Sequence, residues 1–177
     1  MTALKTLLLT ILIVAAGLLT FVYSGSYPMG ADVPHTKFTH WLLETLREKS
    51  IARASRNVQL PELKDPELLL SGGADYNDMC AGCHLKPGVT ESDFSLGLYP
   101  APPDLTKPGS GDPQQRVRRQ FWIIKHGIKA SGMPAWGPTH DDGRIWAMVA
   151  FLQKLPDLTP QQYQIITARD EEDSGHH

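Results

Sequence analysis

Cysteine is scarce in this chain of 177 residues: there are two. That excludes a disulfide-rich scaffold and any four-cysteine iron–sulfur or zinc site. Charge is sparse too, at 20% of residues, and nearly balanced: 17 Lys+Arg against 19 Asp+Glu leave a formal charge of −2. A nucleic-acid-binding protein usually carries a basic excess, so the balance argues against that partner class. Strand alternation and internal repeats are lacking. No Ser/His/Asp set, phosphate loop or paired-carboxylate site stands out, and no catalytic residue is assigned. A hydrophobic fraction of 41% suffices for one core but is too low for a multispan membrane protein. Present in generous measure are proline (14) and glycine (15), and the two cysteines lie close together.

The chain opens with one cation, Lys5, followed by an uncharged apolar run up to Tyr23. A positive start and an apolar run form an export signal. Its length exceeds the ~7–15 residues of a signal-peptide core and reaches the lower limit for a spanning helix, about 17 residues. Tyr23 and Tyr27 sit where an interfacial aromatic belt would be. Ser24-Gly25-Ser26 offers small residues for cleavage, but the length favours an uncleaved single-span anchor. Lys5 would keep the short N-terminal side in the cytoplasm and deliver the rest of the chain across the membrane.

Four segments are expected: an anchor or signal peptide at 1–27, a helical spacer at 28–64, a compact domain at 65–158, and an extension with an acidic, disordered tail at 159–177. Within the spacer, residues 38–56 read as an amphipathic helix beside the membrane. Trp41, Leu42, Thr45, Leu46 and Ile51 form its apolar face, and Glu44, Arg47, Glu48, Lys49 and Arg53 its wet face. Asp65-Pro66 and Asp112-Pro113 each place an N-cap before a first-turn proline. They open helices predicted to reach Cys80 and Gly127, with a long, proline-rich loop at 85–111 between them. The second helix carries the stripe Val117, Phe121, Ile124 and Ile128. Asp141 or Asp142 caps a third helix over 143–155, with Ile145, Trp146, Val149, Phe151 and Leu152 inward, and Thr159-Pro160 starts a short last helix.

The chemistry sits at Cys80-Ala-Gly-Cys83-His84, a C-x-x-C-H sequence that reads as covalent attachment of haem c. Two thiols on one helical turn can each add to one haem vinyl group, and His84, next in line, supplies the proximal nitrogen. A thioredoxin-type redox pair would need a surrounding βαβ pattern, which is lacking. A zinc site would need further ligands nearby, and His126 and His140 are too isolated. One haem c held by two thioethers is the expected cofactor.

Here the chain resembles the class I cytochrome c family, over roughly residues 67–155. Gly72, Tyr76 and Cys80 lie on one face of the first domain helix, as in that family's N-terminal helix. Trp146 and Phe151 lie on the helix that crosses it in similar proteins. Pro102-Pro103-Asp104-Leu105 looks like the family's Pro-Asn/Asp-Leu loop, whose proline carbonyl accepts the proximal histidine's second N–H; Pro103 is then the partner of His84. Gly132-Met133-Pro134 resembles the family's distal Met-Pro loop, so the metal ligands implied are His84 and Met133. The other methionines fit the role less well. Met1 and Met29 precede the domain, Met79 adjoins Cys80 on the same helix, and Met148 is core filler on a continuous helix. The resemblance implies an all-α fold of three main helices around one haem. It is closest to small bacterial monohaem cytochromes of alcohol-oxidising and terminal-oxidase pathways. The apolar N-terminus and the roughly forty residues inserted before the domain depart from the simple soluble pattern.

The expected function is single-electron transfer between redox proteins (a dehydrogenase, an oxidase or another cytochrome) on the periplasmic side of a bacterial inner membrane, with no small-molecule substrate. The alternatives are an electron-transfer subunit of a dehydrogenase or oxidase complex, with residues 38–56 as docking helix, and a haem peroxidase or sensor, which the Met-Pro loop argues against. Arg116, Arg118, Arg119 and Lys125 read as a solvated helix face, with a haem propionate or an acidic partner as the other use. His126 and His140 read as helix-end and capping-turn residues. Trp122 and Trp146 read as core packing before electron path. His176 and His177 are either native or tag residues.

Overall fold

The computed structural model describes residues 2–168, and their regular structure is entirely helical. The acidic tail with His176 and His177 lies outside the described residues. The chain divides into two compact units, Met1–Pro34 and His35–His177.

The first unit contains α1, Thr2–Tyr23, a 22-residue helix with no buried residue. At ~1.5 Å per residue it is about 33 Å long, the thickness of a bilayer's hydrocarbon core. Its two mid-helix threonines satisfy themselves: the hydroxyls of Thr6 and Thr10 donate to the carbonyls of Thr2 and Thr6, both at 3.0 Å. Internal bonding of this kind is what an apolar surrounding requires. The helix is long and apolar enough to cross a membrane.

In the second unit, α2 (Lys37–Ser55) starts at Thr36, whose hydroxyl accepts the Thr39 N–H at 3.2 Å. Its orientation keeps the expected burial of Ile51 and exposure of Lys49 and Arg53 but reverses the rest of the expected wet and apolar faces. Ile51 and Ser55 are buried, Glu44, Arg47 and Glu48 are half-buried, and Phe38, Trp41, Leu42, Leu43 and Leu46 are exposed. The charged side turns inward because it meets charge there: α2 packs on the later helix Pro113–His126, and Arg119 of that helix reaches Glu48 at 2.7 Å. Arg118 adds a bond to the carbonyl of Val58, just beyond α2, at 3.1 Å.

Helix α3, Pro66–Met79, is capped by the Asp65 carboxylate, which accepts the Glu67 N–H at 2.9 Å. After it come a single turn, α4 (Ala81–His84), and then α5 (Asp93–Gly97), a short helix inside what the sequence presents as loop. Local chemistry explains α5: the Ser92 hydroxyl accepts the Ser95 N–H at 3.0 Å and the Ser95 hydroxyl accepts the Ser92 N–H at 2.8 Å. Asp112 caps α6, Pro113–His126. Asp141 caps α7, Asp142–Leu152. A 3₁₀ turn, Leu155–Asp157, leads to α8, Pro160–Ile166.

The core forms where α3, α6, α7 and α8 meet. Tyr76, Ile145, Met148, Val149, Phe151 and Leu155 are almost wholly buried, each removal from water worth about 1.5–3 kcal/mol for the larger apolar side chains. Tyr76 packs on Phe151 at 5.3 Å between ring centroids, and Phe121 stacks on Trp146 at 4.0 Å. Gly72 permits the α3–α7 crossing: a Cβ there would strike the Ala147 carbonyl oxygen. Asp75, buried on α3, takes a bidentate pair of bonds from Arg144 of α7, at 2.7 and 2.9 Å.

Candidate cofactor cleft

Cys80 ends α3, its N–H bonded to the Tyr76 carbonyl at 2.9 Å. Its own carbonyl accepts the N–H groups of Cys83 (3.1 Å) and His84 (2.8 Å), so both thiols and the imidazole belong to one tight turn. The chain then reverses at Leu85, which has φ of +68°. Tyr76 holds the reversal from below, its hydroxyl donating to the Leu85 carbonyl at 2.6 Å. The His84 carbonyl is held by the Leu105 N–H at 3.2 Å.

His84 Nδ1 lies 2.8 Å from the Pro103 carbonyl oxygen. A carbonyl only accepts, so Nδ1 carries the proton and Nε2 keeps its lone pair. Burial lowers the histidine's pKa, and the Pro103 bond only partly opposes it. The ring is therefore neutral near pH 7, the form that ligates metals. Burial, with Asp75 and Cys83 adding, pushes the Cys80 thiol up to about 12.

Pro103 sits in a loop ordered by its neighbour. The Asp104 carboxylate accepts the Thr106 N–H at 3.0 Å and its hydroxyl at 2.6 Å, and Lys107 approaches at 3.2 Å. Partial burial works against that charge, but the Thr106 and Lys107 contacts outweigh it and hold the carboxyl below its ordinary 3.8.

Met133 lies on the stretch after α6. Gly127 turns the chain with φ of +64°, where a Cβ would meet Pro134 and Ala135 backbone at 2.7 Å. The stretch is tied to the helix it leaves. The N–H groups of Trp136 and Gly137 bond to the Ile124 and Lys125 carbonyls (3.0 and 2.9 Å), and the Ile128 N–H bonds to the Met133 carbonyl at 3.1 Å. The Met133 N–H reaches the Ser131 hydroxyl at 3.2 Å.

Cys80, Cys83, His84, Pro103 and Met133 all line one cleft of about 450 Å³. Much of its remaining wall is aliphatic, with Leu98, Leu105, Ile123, Ile124, Ile128 and Leu152. Met79 lines it too, next to Cys80. Helix α2 adds Glu44, Arg47, Glu48 and Ile51 to the wall, and α6 adds Arg119 and Gln120. Sequence reasoning missed the α2 contribution, since a charged helix face is expected in water. The four cations of α6 do not form one patch: Arg116 reaches the Gly109 carbonyl, Arg118 that of Val58, Arg119 reaches Glu48 and Lys125 reaches Asp142. His126 packs on Trp122 and His140 on Trp136, and neither lines the cleft.

The donor set is two thiols on one turn, an imidazole with Nε2 available, and a thioether, all facing one largely apolar cleft. It fits a planar, apolar, iron-bearing group such as haem, and it does not fit a bare ion. Among the described residues no group of three His, Cys, Asp or Glu could hold one.

The α3–α7 crossing and the C-x-x-C-H turn at the end of α3 are consistent with a cytochrome c domain of class I. Residues 67–152 match the family model described as cytochrome C oxidase, cbb3-type, subunit III. That match begins in the first turn of α3 and ends with α7, leaving α1 and α2 outside it. No curated protein and no solved structure matches the chain.

Proposed function

We propose that the protein is a monohaem c-type cytochrome that carries single electrons between redox partners at the outer face of the bacterial inner membrane. The observation that carries this reading is the convergence of Cys80, Cys83, His84 and Met133 on one cleft, with His84 Nδ1 committed to Pro103. When bound, haem c supplies a one-electron ferric/ferrous couple. Cys80 and Cys83 would tether it through two thioethers. His84 would give its Nε2 to the metal, oriented by the bond to Pro103, which also raises its basicity. Met133 would give its thioether from the other side, a weak, soft donor that favours a high potential. With His84 and Met133 both committed to the metal, the site would leave no small molecule a place to react, and the protein would act as a carrier rather than an enzyme. Helix α1 would anchor the chain, with Lys5 on the cytoplasmic side.

A second reading, a haem-bearing subunit of an oxidase or dehydrogenase complex, has its own support. The matched family is described as an oxidase subunit, and α2 exposes Phe38, Trp41 and Leu46 at 59–68%. An apolar helix face turned outward suits a docking surface. The two readings share the same haem chemistry and differ in whether the partner stays bound.

The test is replacement of both cysteines. The Cys80→Ala/Cys83→Ala double variant is expected to leave no haem-staining band on a denaturing gel, while the unaltered chain stains. A band of equal strength in the double variant would defeat the reading.

A further inference from the structure

The charged residues lining the cleft are distributed in a way that the electron-carrier reading alone does not require. Apart from His84 and the two cysteines, its ionisable residues are Glu44, Arg47, Glu48 and Arg119. They form one connected cluster. Arg47 reaches Glu44 at 2.9 Å and Glu48 at 3.2 Å, and Arg119 reaches the second oxygen of Glu48 at 2.7 Å. Glu44 also takes His40 of the next turn at 3.1 Å. The rest of the wall is apolar or neutral polar.

Haem has a matching asymmetry. Most of its perimeter is apolar, and one edge carries two carboxylates. Ionised carboxylates withdrawn from water need charged or hydrogen-bonding partners. In this cleft the cations are gathered at one place, where α2 faces α6. We propose that Arg47 and Arg119 receive the propionate edge of the haem, and that α2, from outside the family-matched segment, is the wall that makes that site. The proposal rests on the haem reading above and adds to it an orientation and a binding site for the two carboxylates.

Two further observations support it. A guanidinium carries about five N–H donors and binds carboxylates in a fixed fork. Arg47 spends two contacts on the glutamates and Arg119 one, so donors remain for two more carboxylates. The rotation of α2, already favoured by the Glu48–Arg119 pair, gains a second cause. The helix turns Glu44, Arg47 and Glu48 to the cleft and leaves Phe38, Leu42 and Leu46 in the open, the reverse of what water alone would select. A dianionic edge between α2 and α6 rewards that rotation, with Glu48 bridging the two arginines and holding them at a common spacing.

The test uses the full chain with haem attached, so that the thioethers retain the haem whatever happens to the propionates. Resonance Raman spectroscopy reads the propionate-bending band, which responds to hydrogen bonding at the carboxylates. Arg47→Gln and Arg119→Gln are each expected to shift that band and to lower the reduction potential, because a cation leaves the haem's surroundings. Arg47→Lys should restore part of the shift. Arg53→Gln removes the same charge from the exposed side of α2 and should move neither quantity. Circular dichroism checks that each variant keeps its helices, and Arg47→Lys serves where Arg119→Gln does not fold. An unmoved band in folded Arg47→Gln, or an equal shift in Arg53→Gln, would overturn the proposal. Absence of covalent haem from the unaltered chain would overturn the haem reading itself, and this one with it.

Discussion

His84 and Met133 carry opposite burdens at the residue scale. The histidine is fixed by a hydrogen bond whose acceptor is a backbone atom of Pro103, while Met133 is fixed through the backbone of its own loop. Met133→Ala is therefore expected to vacate the distal position with the loop intact, to bind carbon monoxide when reduced, and to lose the weak far-red sulfur-to-iron absorption band. Met133→His should lower the potential by a tenth or more of the ~0.8 V range that axial ligands span. Optical titration of both variants checks this. Asp104 governs the loop that presents Pro103. Its folded pKa lies below the ordinary 3.8, so the stability it contributes is present above 3.8 and is lost as pH falls through the folded value. Below 3.8, acid unfolding of Asp104→Ala should therefore converge on that of the unaltered chain, from a difference of about 1 kcal/mol at pH 7; melting curves from pH 7 to 2 measure it. The cleft residues legible in the sequence were those on short local motifs: Cys80, Cys83 and His84 in the C-x-x-C-H turn, and Met133 in its Gly-Met-Pro stretch. Arg47 and Glu48 were illegible because only the folded chain brings them to the cleft, where Glu48 meets Arg119, 71 residues away.

Helix ends were the most legible elements, because a cap is local. Asp65-Pro66, Asp112-Pro113 and Asp141 each mark a start that the side-chain bond to the first turn explains. Faces were less legible. On α7 burial follows the apolar pattern, whereas on α2 an inward-facing charge cluster reverses it, and periodicity carries no sign for what lies on the other side. The five-residue α5 was hidden because its length is too short for any period and its signal is one serine pair. The α3–α7 crossing turns on Gly72. Gly72→Ala would push a methyl group into the Ala147 carbonyl, a rigid backbone atom, and is expected to cost about 3 kcal/mol, at the top of the range for overpacked sites. At Gly82 the added Cβ would meet the Phe94 ring at an ordinary 3.7 Å, so Gly82→Ala should stay within about 0.5 kcal/mol. Thermal melts of the two variants separate a helix-packing glycine from a merely small one.

For the whole molecule, the unit that carries the cleft and the apolar α1 answer different questions. α1 concerns where the chain works, and the cleft concerns what it does there. A carrier and a peroxidase or sensor could share the same thioether turn and the same proximal histidine. They differ in whether the distal side is closed by the chain. In this protein Gly127, Ser131 and the bonds from Trp136 and Gly137 tie the Met133 stretch to α6, and a tied loop resists displacement by an external ligand. The most direct measurement is a redox titration of the full chain, followed optically, with carbon monoxide then added to the reduced protein. The account predicts a single one-electron transition and a reduced spectrum that carbon monoxide leaves unchanged. A reduced protein that readily takes up carbon monoxide would contradict it and make the cleft a site for external ligands.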